Sequence, residues 1–202
     1  MTNKRSLIET LNFSFLKLKP FRKDIDVFKA QLAHVFAHLD ETESEEFHKN
    51  LLADFLKNTY YSPQHFINTK GRNDLVIHHG KDAKSKVGVI IEAKSPSNKT
   101  QMPAQDNLNK RAMQELLLYY LRERVTYKNI DLKHLIITNI YEWFVFDAQV
   151  FEQHFFHNKE LIKQFLEFEE KQLVGKNTDF FYHDIAEPAL HLIQDSIEFC
   201  YF

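Results

Sequence analysis

Two runs of the sequence decide the fold: Asp74-Leu-Val-Ile-His-His-Gly80 and Val87-Gly-Val-Ile-Ile-Glu-Ala-Lys-Ser-Pro96. Both runs are rich in β-branched residues, and the polar segment 80–86 that joins them is typical of a hairpin loop. The second run is almost continuously apolar from Val87 to Ile91, which indicates a strand that is covered on both faces. The sequence therefore predicts a β-hairpin that is built into the interior of a sheet.

Three charged residues interrupt this apolar hairpin. Asp74 opens the first strand, and Glu92 and Lys94 close the second. Residues two apart in a strand point to the same face, so Glu92 and Lys94 should project together while Ala93 turns the other way. In the simplest hairpin register, Asp74 lies near the end of the strand that carries Glu92. We therefore expect two carboxylates and one ammonium group in a single corner of the sheet.

This trio suits metal-assisted hydrolysis of a phosphodiester. Carboxylate oxygens are the ligands that Mg²⁺ prefers, and the ion keeps several waters for a substrate phosphate. A bound metal lowers the pKa of its water and neutralises charge that develops on the phosphate. We expect Asp74, Glu92 and the carbonyl of Ala93 to bind Mg²⁺, or Mn²⁺ in its place, and Lys94 to hold or deprotonate the attacking water. The alternative is a solvated hairpin edge, against which the buried run before Glu92 argues.

Four segments extend the pattern over most of the chain: Lys49–Leu56, Ile91–Asn98, Gln114–Arg124 and Ile137–Phe144. With them the sequence resembles the PD-(D/E)XK nuclease superfamily, with Asp74 as the motif aspartate and Glu92-Ala93-Lys94 as the (D/E)-x-K element. Arg72-Asn73 stand where the motif proline would be. More narrowly, roughly residues 5 to 190 resemble the N-terminal cleavage domain of fused, type IIG-like restriction–modification enzymes.

The resemblance implies an α/β fold with a mixed central β-sheet flanked by helices, as in restriction endonucleases. It implies a type II site-specific deoxyribonuclease that cleaves double-stranded DNA. It also implies methyltransferase and target-recognition domains on the same polypeptide. Two alternatives stay open: a non-catalytic scaffold or DNA-contact module with this fold, and a repair or recombination nuclease. The intact trio argues against the first, and the match to the restriction sequences argues against the second.

Further site residues are expected on the helices and on the loop that follows the hairpin. Nuclease domains of this superfamily often carry an extra glutamate on the helix before the first motif. Glu45 and Glu46 are both candidates, and the helical phase favours Glu45 as an additional metal ligand; a simple preference of acidic residues for a helix N-terminus would explain both. A later helix should lend a polar residue, Gln114 or Lys110, and Lys99 on the polar loop could contact DNA. The alternative for Gln114 is a position on the solvent-facing side of the helix. The alternative for the loop that carries Lys99 is a linker without contacts to ligand.

Composition predicts a globular protein in a reducing compartment. Hydrophobic residues make up 44% and charged residues 27% of the 202-residue chain, which excludes a disordered protein. The single cysteine, Cys200, excludes an internal disulfide framework and fits the cytoplasm. No apolar stretch approaches the roughly 20 residues of a membrane span, and the N-terminus lacks a secretory signal. We therefore expect a cytoplasmic protein without a membrane partner.

The net charge of −2 is unusual for a DNA-binding protein, because phosphate contacts normally require a basic surface. Positive charge is nevertheless locally clustered. One group is Lys17, Lys19, Arg22 and Lys23, and the other is Lys110, Arg111, Arg122, Arg124 and Lys128. The resemblance implies that other domains of a longer chain do most of the DNA binding.

The expected domain organisation is an endonuclease domain over residues 1–190, followed at 191–202 by the start of a helical connector to a missing C-terminal part. Glu187-Pro188 should end one element, and Ala189 to Phe199 should form a last helix. The apolar ending Cys200-Tyr-Phe202 suggests an excised domain, since natural termini are usually polar and exposed.

Overall fold

The computed structural model describes residues 4–70, 73–170, 177–193 and 195–202, and for residues 73 and 74 it describes the backbone but not the side chains. The strands are β1 Lys4–Arg5, β2 Ile67–Lys70, β3 Asn73–His78, β4 Val87–Ala93, β5 His134–Thr138, β6 Trp143–Asp147 and β7 Phe199–Tyr201. The helices are α1 Leu7–Thr10, α2 Phe13–Leu16, α3 Arg22–His38, α4 Glu45–Leu56, α5 Arg111–Leu121, α6 Ala148–Phe151, α7 Lys159–Glu169, α8 Thr178–Phe180 and α9 Glu187–Ile193. Single π-helical turns continue α4, α5, α6 and α8.

Within these described residues the strands form one seven-stranded mixed sheet in the order β1-β7-β6-β5-β4-β3-β2. Strand β4 is antiparallel to β3 and parallel to β5, so it lies inside the sheet. The crossover from β4 to its parallel neighbour runs through α5, as parallel pairing requires. The predicted α/β class, a mixed sheet flanked by helices, is confirmed.

The hairpin of β3 and β4 forms the centre of two hydrophobic clusters. Leu75 pairs with Ile91, and Val76 pairs with Ile90. Val76 and Ile90 belong to the cluster beneath α5, whereas Leu75 and Ile91 belong to the cluster beneath α4. The alternation of a strand therefore sends successive side chains to opposite, equally covered faces. The prediction that β4 is buried on both sides is confirmed.

Helix α5 is enclosed around its whole circumference. Every residue from Ala112 to Leu121 except Glu115 is buried, because the sheet covers one side and the helical run 178–193 covers another. The helix begins at Arg111. Lys110 is extended, with φ −124° and ψ 166°, and Leu108 is buried in the core before the helix starts.

The prediction for the last residues is wrong. Instead of a helix over Ala189–Phe199, α9 ends at Ile193 and Phe199–Tyr201 forms strand β7, between β1 and β6. Residues 199–201 thus complete the sheet and are not part of a helical connector. Nor does Pro188 end the preceding element, since the π turn before α9 runs directly into it. Proline is tolerated in the first turn of a helix.

Candidate functional site

Glu92 and Lys94 lie at the end of β4, beside the last residues of β5. Glu92 is opposite Ile137 in the sheet, and the Lys94 N–H donates to the Thr138 carbonyl at 2.8 Å. Because Leu75 pairs with Ile91, the next pair in the same register would join the backbones of residues 74 and 92. The side chain of Asp74 lies outside the described residues.

The Lys94 ammonium is surrounded by carboxylates from three different elements. Its Nζ lies 2.6 Å from Glu92 Oε1, 2.7 Å from Glu115 Oε2 of α5 and 3.5 Å from Glu45 Oε1 of α4. The side chains of Glu92 and Lys94 are only 1% and 5% exposed, so these charges are withdrawn from solvent. We call Glu45, Glu92, Lys94 and Glu115 the carboxylate cluster.

The carboxylates of this cluster keep Lys94 charged. Burial by itself lowers the pKa of Lys94, but the negative charges of Glu92 and Glu115 outweigh burial and raise that pKa above its usual value. Burial likewise raises the pKa of Glu115, and its contacts with Glu92, Lys94 and Arg111 more than offset this and lower it. Lys94 is therefore an ammonium ion near neutral pH, suited to holding an anion and not to accepting a proton.

Arg111 and the helical run 178–193 cover the side of the carboxylate cluster that is formed by Glu115. Arg111 Nε donates to Glu115 Oε1 at 2.9 Å, and its Nη2 donates to Asp179 Oδ1 at 2.8 Å. The guanidinium also lies over the ring of Tyr182, 3.6 Å from its centroid. Burial, and after it the charge of Glu115, raises the pKa of the Tyr182 hydroxyl to about 12, so this phenol is neutral near pH 7.

The two glutamates at the start of α4 have different partners. Glu45 reaches Lys94, as the helical phase indicated, whereas Glu46 forms an ion pair with Lys49. The Ser44 hydroxyl caps this helix by accepting from the Phe47 N–H at 3.1 Å, and the cap fixes the direction in which Glu45 leaves the first turn. Glu45 therefore lies beside the Lys94 ammonium at the end of β4. Its role in metal binding stays a prediction.

The other predicted site residues are not brought into ion-pair contact with Lys94 in the described part of the chain. Gln114 is 6% exposed, so it does not face solvent, and its Nε2 donates to Asn109 Oδ1 at 3.2 Å. Lys99 is exposed on the loop after β4, and Lys110 is half-buried at the N-cap of α5. The side chain of Ala93 packs in the cluster beneath α4, on the face opposite Glu92.

Glu115 is the residue that sequence reasoning missed. Together with Arg111 it forms an i,i+4 pair, a spacing that is common on solvent-exposed helix surfaces. The signal that could have found it is the composition of α5, which is apolar on nearly every side. Such a helix is buried, and a carboxylate on a buried helix requires a cation.

The three arginines of the second predicted basic cluster do not form a free cationic surface. Arg122 Nη2 lies 2.8 Å from Glu169 Oε1, and Arg124 Nη2 lies 2.6 Å from Glu152 Oε1. Arg111 is committed to Glu115 and Asp179. The charges of these three arginines are therefore neutralised within the fold.

The donor atoms of the carboxylate cluster are of the kind that bind Mg²⁺ or Mn²⁺. Among the side chains that the structure describes, no three His, Cys, Asp or Glu residues are already arranged to hold a metal ion. In this arrangement Lys94 Nζ supplies the positive charge between Glu92 and Glu115.

Comparison with known families matches residues 5–202 to a domain of unknown function, DUF7149. The chain belongs to the DUF7149 family. This match covers strands β2 to β7 and the second residue of β1, so the DUF7149 unit includes β7 as well as the carboxylate cluster. No curated protein and no solved structure matches the chain. Within the described residues no helix has both the length and the apolar character needed to cross a membrane.

Proposed function

We propose that this chain is a Mg²⁺-dependent DNA endonuclease domain with a PD-(D/E)XK-type active site, and that it serves as the cleavage domain of a restriction–modification enzyme. The observation that carries the proposal is the burial of Glu92 and Lys94, side by side at the end of an interior strand. A buried ion pair by itself contributes little to stability, since desolvation offsets most of the attraction. A role in chemistry accounts for the position of this pair at the end of β4.

The net negative charge of the cluster favours the binding of a divalent cation. In the ion pairs that the structure describes here, the carboxylates Glu45, Glu92 and Glu115 outnumber the cations Lys94 and Arg111 by one charge, and Arg111 is also shared with Asp179. The aspartate at position 74, next to Glu92 in the strand register, would add another negative charge. Such an excess of carboxylate is costly without a counter-ion, and its oxygens fit Mg²⁺ or Mn²⁺.

In the proposed reaction Asp74 and Glu92 would hold the metal, and the Ala93 carbonyl and Glu45 would be further ligands. When bound, the ion supplies an activated water and stabilises charge on the phosphate. Lys94, kept as an ammonium by Glu92 and Glu115, orients the attacking water and stabilises the negative charge of the transition state. Three further residues are candidates for contacts with DNA or for support of the site. They are Lys99 on the loop after β4, Lys110 at the start of α5 and Gln114 on α5.

The restriction nuclease and its two alternatives differ in the DNA substrate that they require and in whether they release cleavage products. A non-catalytic scaffold or DNA-contact module would use the same ion cluster for stability and would release no products. A repair or recombination nuclease would cleave at particular DNA structures, such as ends or junctions. The cleavage domain of a restriction enzyme depends on methyltransferase and target-recognition domains for its site.

The deciding experiment is cleavage of supercoiled plasmid by the purified chain over a titration of Mg²⁺ and Mn²⁺. We expect slow, metal-dependent nicking and linearisation of double-stranded DNA, with ends that map to no common sequence. The reason is that metal and phosphate contacts carry no sequence information, and the basic arginines around α5 are neutralised internally. A ladder of sequence-defined fragments would place recognition in this chain, and absence of any metal-dependent cleavage would refute the nuclease.

Metal binding is expected to stabilise the chain measurably. A cation that binds only the folded state adds about 1.4 kcal/mol to the free energy of unfolding at ten times its dissociation constant. For a chain of this size this corresponds to a rise in Tm of roughly 3 to 6 °C. Differential scanning fluorimetry with MgCl₂ or MnCl₂ checks this, with equal ionic strength of NaCl as the control. No shift at millimolar metal would argue against a site at Glu92.

A further inference from the structure

We infer that Glu115 is a positioning residue that retains the Lys94 ammonium when Glu92 binds a cation, and that Arg111 fixes Glu115 for this role. This inference rests on the proposed function. It concerns a residue outside the hairpin that carries the (D/E)-x-K element, and it links that element to α5 and to the helical run 178–193.

Lys94 and a divalent cation would compete for the carboxylate of Glu92. Glu92 Oε1 lies 2.6 Å from Lys94 Nζ, so in this arrangement it neutralises the lysine. Once Glu92 is committed to a divalent cation, that carboxylate can no longer balance Lys94, and two positive charges stand close together in a buried corner. Their repulsion is strong because the local dielectric constant is low. Lys94 then needs another carboxylate within reach.

Glu115 meets this need in the present geometry. Its Oε2 lies 2.7 Å from Lys94 Nζ, so the Glu115 carboxylate is already in direct contact with the ammonium. Glu45 is less suited, because its nearest oxygen is 3.5 Å from Nζ and its side chain is 39% exposed. Among the described side chains other than Glu92, the Glu115 carboxylate is therefore the best-placed anion that can keep Lys94 beside the end of β4.

Arg111 determines where the Glu115 carboxylate lies. It donates to Glu115 Oε1, the oxygen that does not face Lys94, at 2.9 Å. The guanidinium itself is fixed by Asp179 at 2.8 Å and by the ring of Tyr182. The two oxygens of Glu115 thus contact different cations: Oε1 contacts Arg111 and Oε2 contacts Lys94. Fixed rotamers of this kind are what keep a reacting geometry precise.

A purely structural ion pair and a positioning residue predict different results for Glu115→Gln. If Glu115 only stabilises the fold, its loss lowers Tm and leaves cation affinity unchanged. If it retains Lys94, its loss leaves the ammonium more tightly bound to Glu92, where it competes with the cation. The variant should then bind metal more weakly, and its kcat should fall while KM for DNA stays the same.

The test is isothermal titration of Mn²⁺ into the purified chain, together with cleavage kinetics on plasmid DNA. We expect Glu115→Gln to weaken Mn²⁺ binding at least tenfold and to lower kcat at least tenfold. Arg111→Gln should show part of both effects, and Arg111→Lys, which keeps a cation beside Glu115, should be closer to wild type. The matched control is Glu169→Gln at the end of α7, which removes the carboxylate that lies 2.8 Å from Arg122 on the π turn after α5. It should change neither the Mn²⁺ affinity nor kcat.

Each outcome decides the inference. Wild-type Mn²⁺ affinity and kcat in folded Glu115→Gln, or in Arg111→Gln if the first variant does not fold, would overturn it. If the wild-type chain binds Mn²⁺ but cleaves no DNA, the proposed nuclease fails, while the affinities still decide the role of Glu115. A wild-type chain that binds no Mn²⁺ would overturn both.

Discussion

Lys94→Ala is expected to lower the free energy of unfolding by about 3–5 kcal/mol, the usual cost of removing one partner of a buried ion pair. The substitution leaves Glu92 and Glu115 facing each other without the ammonium that lies 2.6 and 2.7 Å from them. For a chain of this size the Tm should fall by roughly 6 to 20 °C. Thermal denaturation followed by circular dichroism measures the change, and cleavage activity should be lost as well.

A control for this prediction is Lys86→Ala. The ion pair of Lys86 with Asp131 has the same 2.6 Å separation, but its side chains are 58% and 43% exposed. Water and salt screen such a pair, so its loss should leave Tm unchanged. Equal losses in the two variants would contradict the idea that burial makes Lys94 important.

The stability deficit of Lys94→Ala should also depend on pH. Without the ammonium, the folded state raises the pKa values of the two glutamates above those of the unfolded chain, because they are buried and repel each other. Groups whose pKa is raised on folding stabilise the protein at low pH and cease to do so as the pH rises through that pKa. The variant should therefore be closest to wild type near pH 5 and furthest from it near pH 8. A deficit that does not change with pH would contradict this account.

Glu92→Gln is expected to abolish metal-dependent cleavage, with a loss of at least about a hundredfold, since a metal ion contributes several kcal/mol to the reaction. The glutamine keeps the shape of the side chain but removes the anionic ligand. The fold should survive, because Lys94 retains the Glu115 carboxylate at 2.7 Å. The same variant should lose the rise in Tm that Mg²⁺ or Mn²⁺ causes in the wild type.

Glu123→Gln offers a closely matched control. Glu123 is also 1% exposed, and its Oε1 also lies 2.6 Å from a lysine ammonium, that of Lys70. It stands eight residues beyond Glu115, which is roughly 12 Å along a helix. Its loss should lower stability yet leave both cleavage and the metal-induced Tm shift in place. If both variants lost the metal response, the response would not come from a site at Glu92.

The sequence by itself determined the hairpin and the common direction of Glu92 and Lys94. Both follow from local rules: β-branched residues favour strands, and the period of two sends residues 92 and 94 to one face. The same periodicity placed Ala93 on the opposite face, where it is found beneath α4. Helix phase, another local property, indicated that Glu45 and not Glu46 would turn toward the sheet.

Only the tertiary structure decided which side chains complete the carboxylate cluster and that residues 199–201 join the sheet. Glu115 is 21 residues from Lys94 in the sequence, and its contact depends on how α5 packs between the sheet and the helical run 178–193. Residues 199–201 become a strand because a gap between β1 and β6 offers hydrogen-bond partners on both sides. Neither outcome can be derived from local pattern, because burial and strand pairing depend on residues that are distant along the chain, and these outweigh weak local propensities.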